Sequence, residues 1–391
     1  MIRYISADYV FPVHREPLKN GVIALNENNE IIDIYEEGNR IIPTVPIERY
    51  KGFLTPGFIN THCHLELSHL HRKIPQKTKL IGFLEAVMKQ PSMDNVEIEE
   101  AMKNADDQMY QSGIVAVGDI ANTANSKEIK LKSKIHYHTF VELLGFDPEK
   151  ADSSFEKGKE LKDIFKPLSA SLTPHAPYSI SRELFQHVKD YCTDYDNLIS
   201  IHNQESAEEN YLYQYKKGAF IDFYKRMGSD ISHFTAKSRN SIQSITPYLT
   251  KKERVLFVHN TYSTYKDINS VERYGLNATW CFCPNANLYI EGRLPKINTF
   301  LSYKLPIVLG TDSLASNDKL CILSELKTLR DCFPDLDFNM MLSWACLNGA
   351  IYLGLEKKLG SLEKGKKPGV NLISNIKDMN ITQESTVTKL A

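Results

Sequence analysis

The sequence predicts an α/β fold: a (β/α)8 TIM barrel with a small β-sandwich-like domain formed by both chain termini. Three observations carry that expectation. Short apolar runs alternate with helical patterns through the middle of the chain, both ends have a different, turn-rich texture, and four of the apolar runs finish in His or Asp. Parallel strands with intervening helices make a barrel whose chemistry lies at the C-terminal strand ends.

Residues 1–54 read as short strands and turns. Gly21-Val22-Ile23-Ala24-Leu25 and Ile31-Ile32-Asp33-Ile34-Tyr35 flank Asn26-Glu27-Asn28-Asn29-Glu30, a hairpin signal. The tail from Gly360 has similar texture, so 1–54 plus 360–391 are expected to form one composite β-domain around a barrel over 55–359. Gly360-Ser361-Leu362-Glu363-Lys364-Gly365-Lys366-Lys367 nearly spells a phosphate loop, but Lys367 stands where Ser or Thr is required, and the segment reads as a turn. The strand candidates are 53–60, 114–120, 135–143, 170–172, 198–202, 255–258, 278–283 and 307–309. Helical patterns such as Phe83-Leu84-Glu85-Ala86-Val87-Met88 separate most of them. Long inserts follow strands one and five. The second, from Ser206 to about Thr246, carries Tyr211, Tyr213, Tyr215, Phe220, Phe223 and Tyr224. Aromatics at helical spacing ordinarily pack inward; a lid over a ring-shaped substrate, or the contact surface of a homodimer, is the sharper reading.

Bulk composition narrows the class. A chain of 391 residues, 42% hydrophobic, can bury a large core, and a net charge of −1 gives no basic face for nucleic acid. Seven scattered cysteines suit reduced thiols in a cytoplasmic protein. The opening residues lack a signal-peptide apolar region, and no uninterrupted apolar stretch has the length to cross a bilayer. The expected partner is a small-molecule substrate.

The strand ends carry the chemistry. His62 and His64, two apart on an extended segment, project on the same side, which turns Cys63 into the packed core. Two other H-x-H pairs are less suited: His69-Leu70-His71 lies in a polar, solvent-facing loop, and His136-Tyr137-His138 opens a strand at the opposite barrel end. His202 adds a third nitrogen and Asp312 an oxygen. Neutral imidazoles plus one carboxylate suit a single divalent ion; zinc is expected, with iron and manganese compatible. Glu205, three residues past His202, reads either as a proton shuttle beside that ion or as an acid at a helix N-terminus. His259, ending strand six, can hold the attacking water by hydrogen bond or coordinate the ion itself.

Several segments together resemble the amidohydrolase superfamily, in its branch of mononuclear-metal deaminases and chlorohydrolases. They are Pro56-Gly57-Phe58-Ile59-Asn60-Thr61-His62-Cys63-His64, Thr173-Pro174-His175-Ala176-Pro177-Tyr178-Ser179, His202-Asn203-Gln204-Glu205-Ser206 and Leu309-Gly310-Thr311-Asp312-Ser313-Leu314-Ala315-Ser316-Asn317. The resemblance implies metal at His62, His64, His202 and Asp312, catalytic roles for Glu205, His259 and Asp312, and a substrate-contacting His175. Binuclear relatives bridge two metals with a modified lysine at the fourth strand end; Leu172-Thr173-Pro174-His175 offers none, which favours one ion. Where relatives often carry arginine after Cys-Pro, this chain has Asn285.

Within the branch, His64-Leu65-Glu66-Leu67-Ser68, Ile74-Pro75 and Phe83-Leu84 are most similar to members that deaminate an adenine-bearing intermediate of menaquinone biosynthesis. The implied reaction is hydrolytic deamination of an aminated purine nucleoside, with Glu66, Glu142 and Tyr178 as pocket residues. For Glu142 a paired acid inside the barrel is the competing role. Alternatives to the reaction are an S-adenosylhomocysteine, guanine or triazine deaminase, a chlorohydrolase, or an inactive barrel that only binds.

Overall fold

The computed structural model describes residues 2–36, 46–91 and 93–391; Met1 and residues 37–45 of the expected terminal domain, and Ser92, lie outside the described residues. Eight parallel strands form the barrel: β1 (Phe58–Cys63), β2 (Ile114–Ala121), β3 (His136–Leu143), β4 (Ser169–Pro174), β5 (Leu198–Asn203), β6 (Arg254–His259), β7 (Asn277–Phe282) and β8 (Ile307–Leu309). They pair in order as two four-stranded halves, β1 to β4 and β5 to β8. Residues of alternating parity divide the core. Leu256, Val258 and Val308 join Ile59 and Phe140 in one cluster, while Val255, Phe257, Ile307 and Leu309 join the larger cluster that includes the helices.

Side-chain and main-chain hydrogen bonds stitch the halves together at both edges. Between β4 and β5, Thr173 Oγ1 accepts the Ser200 amide (2.8 Å) and donates to the Ser200 carbonyl (2.6 Å). Asn197 does the same for Leu172 through Oδ1 (3.0 Å) and Nδ2 (2.9 Å). Between β8 and β1, the amides of Thr311 and Asp312 both donate to the His62 carbonyl, at 3.0 and 3.1 Å. Thr61 Oγ1 donates to the Leu309 carbonyl at 2.8 Å.

Strands from both termini build one seven-stranded mixed sheet, in the order Thr386–Lys389, Val370–Ser374, Glu48–Pro56, Arg3–Val10, Val22–Leu25, Ile31–Tyr35, with Leu18–Lys19 paired to Arg3–Val10. In the hairpin between Val22–Leu25 and Ile31–Tyr35, Asn26 Oδ1 accepts the amides of Asn28 (2.9 Å) and Glu30 (3.0 Å), so the turn is held by its own side chain. The expected single strand over 53–60 is instead two. Glu48–Pro56 belongs to the terminal sheet, β1 to the barrel, and the chain breaks at Gly57. The cause is contact: a Cβ on Gly57 would lie 2.3 Å from Val115 and 2.7 Å from the Pro368 carbonyl, which already accepts the Gly57 amide.

The two inserts meet above the C-terminal strand ends. The first contains the helix Lys79–Met88; the second contains α1 (Ala207–Tyr215) and α2 (Ala219–Arg226). The Arg226 guanidinium on α2 pairs with Glu85 of the first insert, Nε at 2.8 Å from Oε1. At the other end of that helix, Glu291 Oε1 accepts the Leu80 amide (2.9 Å) and Oε2 accepts the Tyr262 hydroxyl (3.0 Å), tying in the loops after β6 and β7. The insert's aromatics split in two. Tyr213, Phe220 and Tyr224 are buried, while Tyr211 and Tyr215 are exposed. No helix among the described residues is long and apolar enough to cross a membrane.

Gly57→Ala should lower stability by about 1–3 kcal/mol through overpacking at the sheet–barrel junction. Denaturant unfolding would measure it, and an unchanged midpoint would refute the close-approach account.

Candidate metal centre

His62 belongs to β1, His64 stands one residue past it, His202 lies near the end of β5, and Asp312 follows β8. Their ligand atoms converge, all within 4.8 Å of one another. His64 Nε2 is 3.2 Å from both His62 Nε2 and His202 Nε2; Asp312 Oδ1 is 3.4 Å from His64 Nε2 and 3.8 Å from His62 Nε2. Donors about 2.0–2.2 Å from one shared ion lie no more than about 4.4 Å apart. The four separations of 3.2, 3.2, 3.4 and 3.8 Å fall inside that reach.

Each outward-facing atom fixes the donor orientation. His202 Nδ1–H donates to the His175 carbonyl at 2.8 Å, which leaves Nε2 as a bare lone pair facing the cluster. His62 Nδ1 meets Ser200 Oγ at 3.2 Å. Ser316 Oγ donates to Asp312 Oδ2 at 2.6 Å, leaving Oδ1 for the ion. Burial, reinforced by the neighbouring imidazoles, holds His62 and His202 well below the usual histidine range, so both are neutral. Three imidazole nitrogens and one Asp oxygen, buried together, fit a divalent ion.

Backbone conformation aims the surrounding groups. Gln204, His259, Asn260 and Asp312 all have positive φ, at 45°, 72°, 57° and 58°. Non-glycine residues enter that region rarely, and at strand ends it swings the next side chains out of the ladder. Glu205, thereby turned inward and 3% exposed, has Oε2 3.8 Å from His259 Nε2. Burial, with Asp312 and Glu291 nearby, pushes its carboxyl well above the usual range. Glu205 precedes Ser206, the N-cap of α1, so it is not an acid of the helix's first turn; Glu208 and Glu209 hold those places. His259 Nδ1–H donates to Asn287 Oδ1 at 2.8 Å, presenting Nε2 as an acceptor beside Glu205.

The remaining expected residues surround this group. His175 is half-buried, its ring centroid 4.7 Å from that of His202, and burial pulls it down to about 4. Tyr178 is buried beneath Phe220 of α2, with ring centroids 4.6 Å apart. Glu142 Oε2 accepts from Asn122 Nδ2 at 2.9 Å, while Oε1, buried, has no hydrogen-bond partner among the described residues and lies 3.8 Å from His202 Nδ1. Both oxygens of Glu66 are engaged by the turn after β2, accepting the amides of Asn122 (3.0 Å) and Thr123 (3.1 Å) and the Thr123 hydroxyl (2.9 Å). His69 and His71 are half-buried rather than solvent-facing, because their rings meet the carbonyls of Glu66 (3.0 Å) and Asp318 (3.1 Å). His138 is held by Ser169 and Ser171.

Sequence reading missed Asn287, Ser316, Glu325 and Asp119. Ser316 had a signal, four residues after Asp312 in one tight turn. Glu325 had none: it lies on a helix after β8 and accepts from Asn285 (2.8 Å to its amide) and Asn317 (2.8 Å). Asn285 also bonds Thr328 and Ser324, so it is occupied within the scaffold.

The chain belongs to the amidohydrolase family, whose model matches residues 53–389. Among its relatives, adenosine deaminase of Helicobacter pylori is 29% identical, over 95% of this chain and 92% of that protein. Aminodeoxyfutalosine deaminase of a Nitratiruptor species is 26% identical, over 93% and 90%. Among solved structures, Helicobacter pylori aminofutalosine deaminase in complex with methylthio-coformycin aligns with a TM-score of 0.82 at 25% identity, over 97% of this chain and 93% of that one. An adenosine deaminase from Xanthomonas campestris with bound zinc aligns at 0.73 and 21% identity, over 95% and 84%, a likeness of fold. The fold is that of the family's barrels, and the His/His/His/Asp cluster makes this member a metal-dependent hydrolase acting on C–N bonds.

Zinc added to metal-free protein at one hundred times its dissociation constant should stabilise the fold by about 2.7 kcal/mol. The readout is the thermal midpoint, and no rise would count against the cage. A second expectation concerns Glu325, whose carboxyl burial pushes from 4.5 to about 8. The folded protein then keeps a proton that the unfolded chain releases, so stability falls as pH rises from about 5 to about 8. Glu325→Gln should flatten that fall in midpoints measured across the same window.

Proposed function

We propose that this protein is a zinc-dependent hydrolytic deaminase of an aminated purine nucleoside, with aminodeoxyfutalosine, an intermediate of menaquinone biosynthesis, as its leading substrate. The observation that carries this reading is Glu205. A buried carboxyl favouring its neutral form, beside four convergent metal ligands, has no use in a protein that only binds. Relatives named as adenosine and aminodeoxyfutalosine deaminases support the same reading. Seven free cysteines suit a reducing cytoplasmic setting.

A divalent ion held by His62, His64, His202 and Asp312 would supply Lewis acidity, lowering the pKa of a water from about 16 towards 7. The protein supplies the proton transfers. Glu205 delivers its proton to the ring nitrogen beside the amino-bearing carbon, which relieves charge as that carbon is attacked. It then takes the two protons of the attacking water in turn, passing the first to the departing amine, which leaves as ammonia, and keeping the second, which restores its own carboxyl. His259, its tautomer held by Asn287, orients the attacking water through Nε2. Asp312 is kept in place by Ser316. Glu142 Oε1, buried and unpartnered, is the acceptor for a substrate hydroxyl or ring N–H. His175 and Tyr178 form the wall beside it. Glu66 serves that wall by bracing the turn that carries Asn122.

The test is ammonia release from adenosine, 5'-deoxyadenosine and aminodeoxyfutalosine. Glu205→Gln should lower turnover by about 10²–10⁴-fold with bound metal unchanged. If the intact, metal-loaded protein releases no ammonia from any aminopurine nucleoside, the reading is wrong. Glu142→Gln should reduce kcat/KM by about 10–100-fold, mainly through KM, since it replaces a carboxyl oxygen that faces the substrate with an amide. An unchanged KM would return Glu142 to a purely structural role.

A further inference from the structure

We infer that the buried Asp119–Lys130 ion pair is a positioning device for the metal ligand His64; the inference rests on the metal reading of this site. Asp119 lies on β2, opposite Cys63 of β1. Lys130 comes from the helix Lys127–Lys132 that follows β2, and its ammonium sits 2.6 Å from Asp119 Oδ2, with both side chains fully buried. The other neighbours of that ammonium are the Thr139 hydroxyl at 3.0 Å and the rings of Phe165 and Tyr137, centroids at 4.9 and 5.6 Å.

Such a pair is a weak source of cohesion. Removing both charges from water offsets much of their attraction, and apolar replacements of similar volume are often neutral or stabilising. Its use lies at the other carboxylate oxygen. Asp119 Oδ1 accepts the Leu65 amide at 2.8 Å. That amide belongs to the peptide leaving His64, whose carbonyl in turn accepts the Leu67 amide at 3.1 Å. The peptide plane is held from both sides, which fixes rotation about the last backbone bond of His64. This residue needs it: His64 stands beyond the β1 ladder, with φ −122° and ψ 82°.

The comparison with the other ligands sharpens the point. Ser200 meets His62 Nδ1, the His175 carbonyl takes His202 Nδ1–H, and Ser316 binds Asp312 Oδ2. Among the described residues, the hydrogen-bond and charge contacts of the His64 ring run through Nε2 alone, towards the cluster itself, and its ring neighbours are His62 and His202 of that cluster. Among the four ligands, His64 therefore depends for its aim on its main chain alone. Lys130 anchors one carboxylate oxygen so that the other stays pointed at Leu65.

The test compares two double variants in which no unpaired charge is left buried. In Asp119→Asn/Lys130→Met the side-chain carbonyl can still accept the Leu65 amide; in Asp119→Leu/Lys130→Met nothing can. Zinc affinity is measured by competition with a chromophoric chelator, beside the thermal midpoint of the metal-free proteins. The leucine double variant should bind zinc about 10–100-fold more weakly than the unaltered protein, the loss expected when a partner behind a metal ligand is removed. The asparagine double variant should stay within about threefold of the unaltered protein. Equal affinities in all three proteins, or equal losses in both variants, would overturn the positioning role. Should the leucine variant fail to fold, Asp119→Asn alone takes its place. Leu65 and Lys130 meet different oxygens of Asp119, and an amide has an acceptor on one side only; its NH2 group is repelled by the Lys130 ammonium, so the oxygen turns there and leaves Leu65 without a partner. Affinity should then fall about tenfold, and an unchanged value overturns the inference. None of these measurements uses turnover, so absence of deaminase activity would sink the proposed reaction and leave this inference standing. Failure of the unaltered protein to bind zinc would sink both.

Discussion

Two hydrogen bonds onto one carbonyl hold this molecule's function together. The His62 oxygen accepts the amides of Thr311 and Asp312, and in doing so joins the first barrel strand to the segment after the last. Two metal donors from opposite ends of the barrel sequence are thereby fixed through a single peptide group. The contact tolerates no bulk between the strands. A Cβ on Gly310 would stand 2.8 Å from His62 Cβ and 3.0 Å from Cys281 Sγ. Ring closure and metal geometry are thus the same constraint, because a ring that failed to meet would leave His62 and Asp312 without a common centre.

The chemistry around that centre is organised by dehydration. Burial keeps His62 and His202 neutral and therefore able to ligate, and it favours the protonated form of Glu205. One cause, exclusion of water, keeps both the imidazole lone pairs free and the Glu205 carboxyl in its neutral form. Polar support is threaded through this dry region with few loose ends. Asn287 faces His259, Ser316 faces Asp312, and the unpartnered oxygen of Glu142 is among the few buried acceptors left open.

How much of this was legible in the sequence follows from which information is local. His62, His64, His202, His259 and Asp312 could be read because apolar runs mark strands and strand ends mark the active face. The strand over 53–60 was misread as one because an apolar run cannot show that its two halves hydrogen-bond to different sheets; only the crowding at Gly57 decides it. Asn287, Glu325 and Asp119 were silent because their meaning lies in partners 28, 40 and 54 positions away. Asp119 in particular looks like any acid in an apolar strand until Lys130 and Leu65 are seen around it. The aromatic insert defied a single label for a similar reason. Its buried rings pack on Tyr178 and its exposed ones face outward, and spacing along a helix does not distinguish them when two short helices share the work.

The placement of the inserts has a consequence for how such a protein changes over generations. The metal cage is locked into barrel backbone, whereas the wall above it comes from separate excursions of chain, joined by Glu85 with Arg226 and by Glu291 with Leu80 and Tyr262. None of the residues that join those excursions is itself a donor to the cage. Lineages descending from this architecture are free to trade one amine for another while inheriting the same hydrolytic engine intact.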